Sequence, residues 1–427
     1  MFKRVLTMLG LACGCAALLL LGVQLGAGGG LLPGSELRRR SSDFEQVLRL
    51  IHDRYVRETG TSYDNLTNTA LEGMVRSLDP HSEYLVPREY DQFRAETSQE
   101  FGGIGVQVEM RERHLTVVAP IAGTPGDRAG LLRGDRFLRV DDRDIEGLSF
   151  DECLDLLRGA PGSAVRLTVL RSSTGETLEK SVTREIIRVE SVRDVHMLNA
   201  DVGYVRLLQF GERTADEFVA ALDSLEKQGM RALVLDLRDN PGGLLDAAVA
   251  VAEPFFNPGE LIVYTQGRTP DTREDLKASS TAHRRDYPIA VLVNAGSASA
   301  SEVVAGALRD MHRAILVGEK TFGKGSVQTI FSIRRGGPAV RLTTALYYTP
   351  LGDVIHGKGI EPNVPVTLPA DEDRKLAVQR NRLSLMTPAE FRAQFEFEPI
   401  EDRQLTTALD LLRGVLALAR PANASDS

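Results

Sequence analysis

The stretch "RALVLDLR", residues 231 to 238, is apolar on both alternating faces. A strand of that pattern has no side to give to water, so it must be covered above and below, as strands of helix-flanked parallel sheets are. Its surroundings agree. "TADEFVAALDSLEKQG" before it places Phe218, Ala221, Leu222 and Leu225 at helical spacing, opens with a capping box of Thr214 and Glu217 and stops at Gly229. After it come a "DNPGG" turn, the small-residue helix "LLDAAVAVAE", the strand "IAVLV", a serine-rich segment and the strand "AILVG". Beyond about residue 200 the chain therefore reads as an α/β layered core.

Upstream the period changes. "GIGVQVEM" alternates Ile104, Val106, Val108 and Met110 on one face, and "HLTVVAPIAG", "DRFLRVDDRDI" and "AVRLTVLR" read as further strands. Between them "SFDECLDLLRG" sets Phe150, Cys153, Leu154 and Leu157 on one helix face, capped by Ser149 and stopped at Gly159. Short strands with a helix over about 85 residues describe a small barrel-like module. Residues 41 to 98 read as helical, as does the tail from 371 to 420.

At 427 residues the chain suits two or three domains, and 42% apolar with 26% charged residues is ordinary globular composition. A net charge of −8 leaves no basic surplus for nucleic-acid phosphates. The N-terminus sets Lys3 and Arg4 before an uncharged run that lasts to Glu36. Residues 5 to 25 are long enough to span a bilayer, so residues 1 to 34 read as a signal peptide or signal anchor that sends the rest outward to a periplasmic or cell-envelope face. Cys13 and Cys15 lie in that run without a clear lipoprotein pattern, and Cys153 alone in the body has no disulfide partner.

Three segments end where a strand meets a glycine turn or a helix start, the place where open α/β sheets build sites. In "DLRDNPGGLL", Gly242 and Gly243 allow close backbone approach to a ligand, although a plain Pro-Gly turn would look the same. In "NAGSASASEVVAGALRD", Ser297, Ser299 and Ser301 alternate before a helix that buries Val303, Val304, Ala307 and Leu308. Any one of the three could be an N-cap, but three cannot cap one helix. In "GEKTFGKGSVQTIF", Lys324 sits between glycines, with Gln328 four residues on. A lysine there is ordinarily solvated; a buried one loses its proton readily and can act as base to a serine.

These segments, with "IHGKGIEPNVPV", "LDPHSEYL" and "FGGIGVQV", strongly resemble the C-terminal processing peptidases, or tail-specific proteases, over residues 43 to 368. The resemblance implies an α+β / α/β multidomain fold: an N-terminal helical unit (41–98), a PDZ domain (99–186) before an α/β layered, crotonase-like serine-protease core (187–368), and a helical C-terminal region (369–427). It implies Ser299 as nucleophile, Lys324 as general base, Gln328 as the residue that positions the lysine, and the amides of Gly243 and Ala300 as oxyanion hole. Peptide C-termini would bind at Gly103, Ile104, Gly105, Val106, Leu154 and Leu157. No cofactor or metal is implied. Expected partners are protein substrates through their C-termini, an adaptor, the membrane through the N-terminal segment, and a second copy of the chain. Other readings are a catalytically silent PDZ scaffold, a ligand-binding protein on the same core fold, and a Ser-His-Asp hydrolase using Asp236 with His283, His312 or His356.

Overall fold

The computed structural model describes residues 33–279 and 284–419; the N-terminal apolar run and His283 lie outside them. The chain divides into two compact units, Met1–Pro80 and His81–Ser427. In the first, helices Pro33–Arg54 and Tyr63–Arg76 are joined by a turn in which Ser62 caps the second helix, accepting the Asn65 N–H at 3.3 Å. His52 stacks on Tyr63 with ring centroids 4.3 Å apart, and its Nδ1 lies 2.8 Å from the Thr61 carbonyl.

The second unit is built on a six-stranded sheet in the order Val192–Met197, Val202–Leu207, Ala232–Asp236, Ile289–Val293, Ala314–Gly318, Val364–Pro365. All neighbours are parallel except the first pair. The strand Ala232–Asp236 is buried at every position, as its unbroken apolar run requires. Alternation then assigns its two faces. Leu233 and Leu235 join Phe218, Leu222, Val251, Val304 and Leu308 from helices Thr214–Lys227, Leu245–Ala252 and Ala300–Asp310. Ala232 and Val234 meet Ala408, Leu412 and Leu416 of the last helix, Arg403–Ala419. Each fully buried leucine of this kind is worth about 1.5–3 kcal/mol.

Two local expectations fail for identifiable reasons. Thr214 and Glu217 form no capping box. The Thr214 hydroxyl donates to the Ser191 hydroxyl at 2.8 Å, and the Glu217 carboxylate accepts the N–H groups of Ser191 and Val192, so both fasten the start of the edge strand instead. Residues 41 to 98 are not helical throughout: after Pro80 the chain forms a strand, Glu83–Leu85, because buried Tyr84 and Leu85 pair with Ala339–Arg341, and only then the helix Pro87–Ser98.

That strand belongs to a second sheet, in which Ala339–Tyr348 is flanked by Ser326–Ser332, Glu83–Leu85 and Leu261–Gln266, the last followed by Glu274–Lys277. A third sheet, Val106–Arg111, His114–Pro120, Asp135–Val140, Ala164–Arg171, Glu176–Thr183, closes over helix Phe150–Leu157. That helix carries the expected Ser149–Glu152 capping box at one end. At its other end buried Arg184 donates to the carbonyls of Leu156 and Leu157, satisfying groups the helix leaves open.

Candidate active site

The alternating serines divide their work. The Ser297 hydroxyl donates to the Leu237 carbonyl at 2.8 Å and the Ser301 hydroxyl to the Asn240 carbonyl at 2.9 Å, so both bolt the serine segment to the "DLRDN" turn. Ser299, between them, faces a cleft of about 360 Å³. Its backbone sits at φ 55°, ψ −115°, a conformation that β-carbon sterics disfavour and that needs surrounding structure to hold it. Gly242 supplies part of that structure. A Cβ there would stand 2.7 Å from the Ser299 Cβ and 2.8 Å from the Ala300 nitrogen, and its φ of +99° is itself a glycine conformation.

The turn is tied down in depth. Asn240 accepts the Gly242 N–H and donates to the Leu207 carbonyl, both at 2.9 Å. Asp236, fully buried, receives Arg238 and the Tyr204 hydroxyl, while Arg238 also reaches Asp402 and Gln404 beside the last helix. Burial pushes the Asp236 carboxyl up, but the Arg238 guanidinium more than offsets it and holds the group at about 2. With its oxygens so engaged Asp236 serves no histidine, which removes the carboxylate of a Ser-His-Asp arrangement. Among the described residues no cluster of acidic, histidine or cysteine side chains could hold a metal ion.

Lys324 enters the cleft from the opposite sheet, in the loop before Ser326–Ser332. The loop is pinned by the "IHGKG" segment: Gly357 donates to the Gly323 carbonyl at 2.8 Å, and Ile360 donates to the Thr321 hydroxyl at 2.7 Å. Gly325 runs so close that a Cβ would lie 2.2 Å from the His356 nitrogen. Half-burial lowers the affinity of Lys324 for its proton below the usual lysine range, Arg341 lowers it further, and Glu302 opposes both. Gln328 lines the same cleft despite a bulge between Val327 and Gln328. Its amide nitrogen donates to the Ser326 hydroxyl at 2.9 Å, leaving its Oε1 without a hydrogen bond among the described residues.

Sequence reasoning passed over two residues here. Glu302, with no exposed surface, joins the two halves of the site: its carboxylate accepts the Ser299 N–H at 2.8 Å, the Gly323 N–H at 2.7 Å and the Lys324 N–H at 2.8 Å, along with the Thr321 hydroxyl. The Ser-x-x-Glu spacing from Ser299 was the available signal. Tyr347 lines the cleft beside Ser299; burial pushes its phenol up to about 12, against a smaller pull from the serine hydroxyl. No direct hydrogen bond joins Ser299 to Lys324 among the described residues. The cleft also presents Gly243, at φ 145° and bridged to Phe210, and the first N–H of the serine helix belongs to Ala300. Neither N–H is consumed by a hydrogen bond among the described residues.

The family profile for "Peptidase family S41" matches residues 201–366, and that for "PDZ domain" matches residues 116–171. The chain belongs to peptidase family S41. It is a serine protease with a PDZ domain. It is 39% identical over 393 residues to a carboxy-terminal-processing protease of Bartonella bacilliformis, covering 88% of this chain and 89% of that one. It is 37% identical to the carboxyl-terminal-processing protease of Synechocystis over 88% of this chain and 83% of that one. A solved S41 protease of Bacteroides fragilis shares the fold, with a TM-score of 0.50 at 15% identity over 88% of this chain and 98% of that one.

The residues that the resemblance assigns to tail binding fall in varied surroundings. Ile104 and Leu157 are in the PDZ core, 2% and 4% exposed, while Leu154 is half-buried on the helix. Gly103 pairs with Glu185, and Gly105 turns at φ 72° against Thr124. Val106 opens the strand Val106–Arg111, which is the sheet's edge. Two larger concavities, about 870 and 810 Å³, flank the PDZ domain and bring no serine and lysine together.

Proposed function

We propose that this chain is a C-terminal processing endopeptidase in which Ser299 and Lys324 form a catalytic dyad. Lys324 in its neutral form takes the Ser299 proton as the hydroxyl oxygen bonds to the scissile carbonyl carbon, and the oxyanion settles on the N–H groups of Gly243 and Ala300. Lys324 then passes the proton to the departing amine; in the second half it takes a proton from water as the water oxygen bonds to the acyl carbon, and returns that proton to the Ser299 oxygen as the acyl–serine bond breaks. Gln328 Oε1 is the acceptor that orients the lysine. The observation that carries this reading is the meeting, in one cleft, of a serine in a strained backbone conformation and a lysine disposed to lose its proton.

The PDZ domain holds the substrate's tail as an added strand along Val106–Arg111, its carboxylate at the Gly103–Gly105 turn and its last side chain over Leu154. The chain is exported by residues 1 to 34, on the charge pattern of its N-terminus, and works outside the cytoplasmic membrane. Protease added to intact spheroplasts should therefore degrade it; full protection overturns the export.

One experiment tests the chemistry. A peptide with a free apolar C-terminus is offered to the wild type, Ser299→Ala and Lys324→Ala, beside its amidated twin. Both variants lose cleavage to the same floor, since members of one unit are not additive. Amidation weakens binding by about 10- to 100-fold, the range for hydrogen bonds to a charged group. Turnover by Lys324→Ala removes the lysine from its role, and equal affinity for the two peptides removes the carboxylate from recognition.

A further inference from the structure

Arg341 projects from the long strand Ala339–Tyr348 into the same cleft as Ser299 and Lys324. Its partner, Glu83, comes from behind: Nη2 donates to the Glu83 carboxylate at 2.7 Å across the pairing of Glu83 with Arg341. The guanidinium carbon lies 5.7 Å from the ring centre of Phe93, another wall of the cleft, and Nε is buried with no hydrogen-bond partner. The group is thus held on one side by an ion pair and on another by an aromatic face, leaving a fixed positive charge facing the base.

We propose that Arg341 is a positioning residue for the proton of Lys324: its fixed charge in the cleft keeps the lysine amine neutral and ready to accept from Ser299. This rests on the reading of Lys324 as the general base. The charged and titratable groups around the amine are few. Glu302 on the serine helix favours the ammonium form. Tyr347 shares the strand of Arg341, with Asp246 beyond it on helix Leu245–Ala252; His356 abuts the lysine loop through its backbone and lies 6.5 Å from the ring of His81. Of these only Arg341 brings a permanent positive charge to the cleft, and two like charges in one cleft disfavour each other. The short strand from the "LDPHSEYL" motif gains a role here, since Glu83 on it holds the guanidinium in place.

The test is the pH dependence of kcat/KM for peptide cleavage by the whole protein. In Arg341→Gln the rising limb moves to higher pH by between about half a unit and one unit, so activity on the limb falls about 3- to 10-fold while the alkaline plateau holds. Arg341→Lys restores the limb. Glu83→Gln, which unmasks the guanidinium, moves it the other way, a pair of opposite shifts that a purely structural role does not produce. A limb unmoved in Arg341→Gln, or a lowered plateau with the limb in place, overturns the assignment. Lys324→Ala separates the two readings: if it still turns over, the lysine base fails and the tuning with it, whereas an inactive Lys324→Ala beside an unmoved limb defeats the tuning alone.

Discussion

The two groups of the proposed dyad come from differently built halves of the site. Ser299 stands on the parallel sheet, in a segment where Ser297 and Ser301 are fully buried and donate to the carbonyls of Leu237 and Asn240, against a glycine with no room for a methyl group. Lys324 stands on a loop of the antiparallel sheet, half-buried, with an exposed Phe322 two residues away. Ser299 is fixed by packing; the Lys324 loop is fixed by a carboxylate from the other half, and its amine is adjusted by charge. Position on one side and protonation on the other are therefore open to separate attack by mutation.

The sharpest blow to the rigid half is Gly242→Ala. The new methyl meets the Ser299 Cβ and the Ala300 nitrogen at under 3 Å, at a backbone angle alanine resists. Displacing Ser299 by on the order of 1 Å should lower kcat on the order of 100-fold, with KM for a tail peptide little changed. Steady-state kinetics at wild-type rate would show that the serine half is not rigid.

A smaller effect is expected at the join. Glu302→Gln keeps the shape but puts a neutral amide before three N–H groups and a hydroxyl. Losing charge-assisted hydrogen bonds of this kind costs about 1.5–3 kcal/mol, or roughly 10- to 100-fold in kcat if the cost falls on the transition state. A variant whose turnover is unchanged would mean that the halves are aligned by other contacts.

The smallest effect is in stability against pH, and it separates the halves by sign. Asp236 is held at about 2 against an ordinary 3.8, so its contribution is full above pH 3.8 and is lost as pH falls through about 2; by linkage this amounts to about 2 kcal/mol. Lys324 is displaced downward from 10.5, so the folded protein binds fewer protons than the unfolded chain just below that value, and the cost of burying the amine is relieved as pH rises toward it. Urea midpoints should fall at the acid end in wild type but less in Asp236→Asn, and the modest alkaline gain should disappear in Lys324→Met.

Much of this was legible from periodicity. An unbroken apolar strand can only be central, and Ala232–Asp236 is; alternate serines cannot all cap, and only Ser299 faces the cleft. What stayed hidden depends on chain crossings that local pattern does not encode. Arg341 reaches Lys324 only through the register of a bulged hairpin with Ser326–Ser332, and Glu83 reaches Arg341 only because a three-residue strand, too short for a visible period, joins the far side of the same sheet. Glu302 looks like any acidic residue in the first turn of a helix; its burial comes from a loop some twenty residues on. In the PDZ domain the alternation began two residues too early, placing Ile104 on the strand face when the strand opens at Val106 and Ile104 is buried in the core.

The attachment of the last helix has a bearing on the enzyme's own survival. Here residues 403–419 are coiled into a helix whose leucines fill the underside of the sheet, so they offer no extended strand to a groove or cleft. The start of that helix also completes the partners of Arg238, directly behind the turn that carries Gly242 and Gly243. A molecule trimmed back past Asp402 would bare that apolar face and leave a buried guanidinium short of acceptors, loosening the turn that presses on its own nucleophile. Autolysis from this end would be self-extinguishing: the first molecules to digest themselves would be the first to stop digesting others.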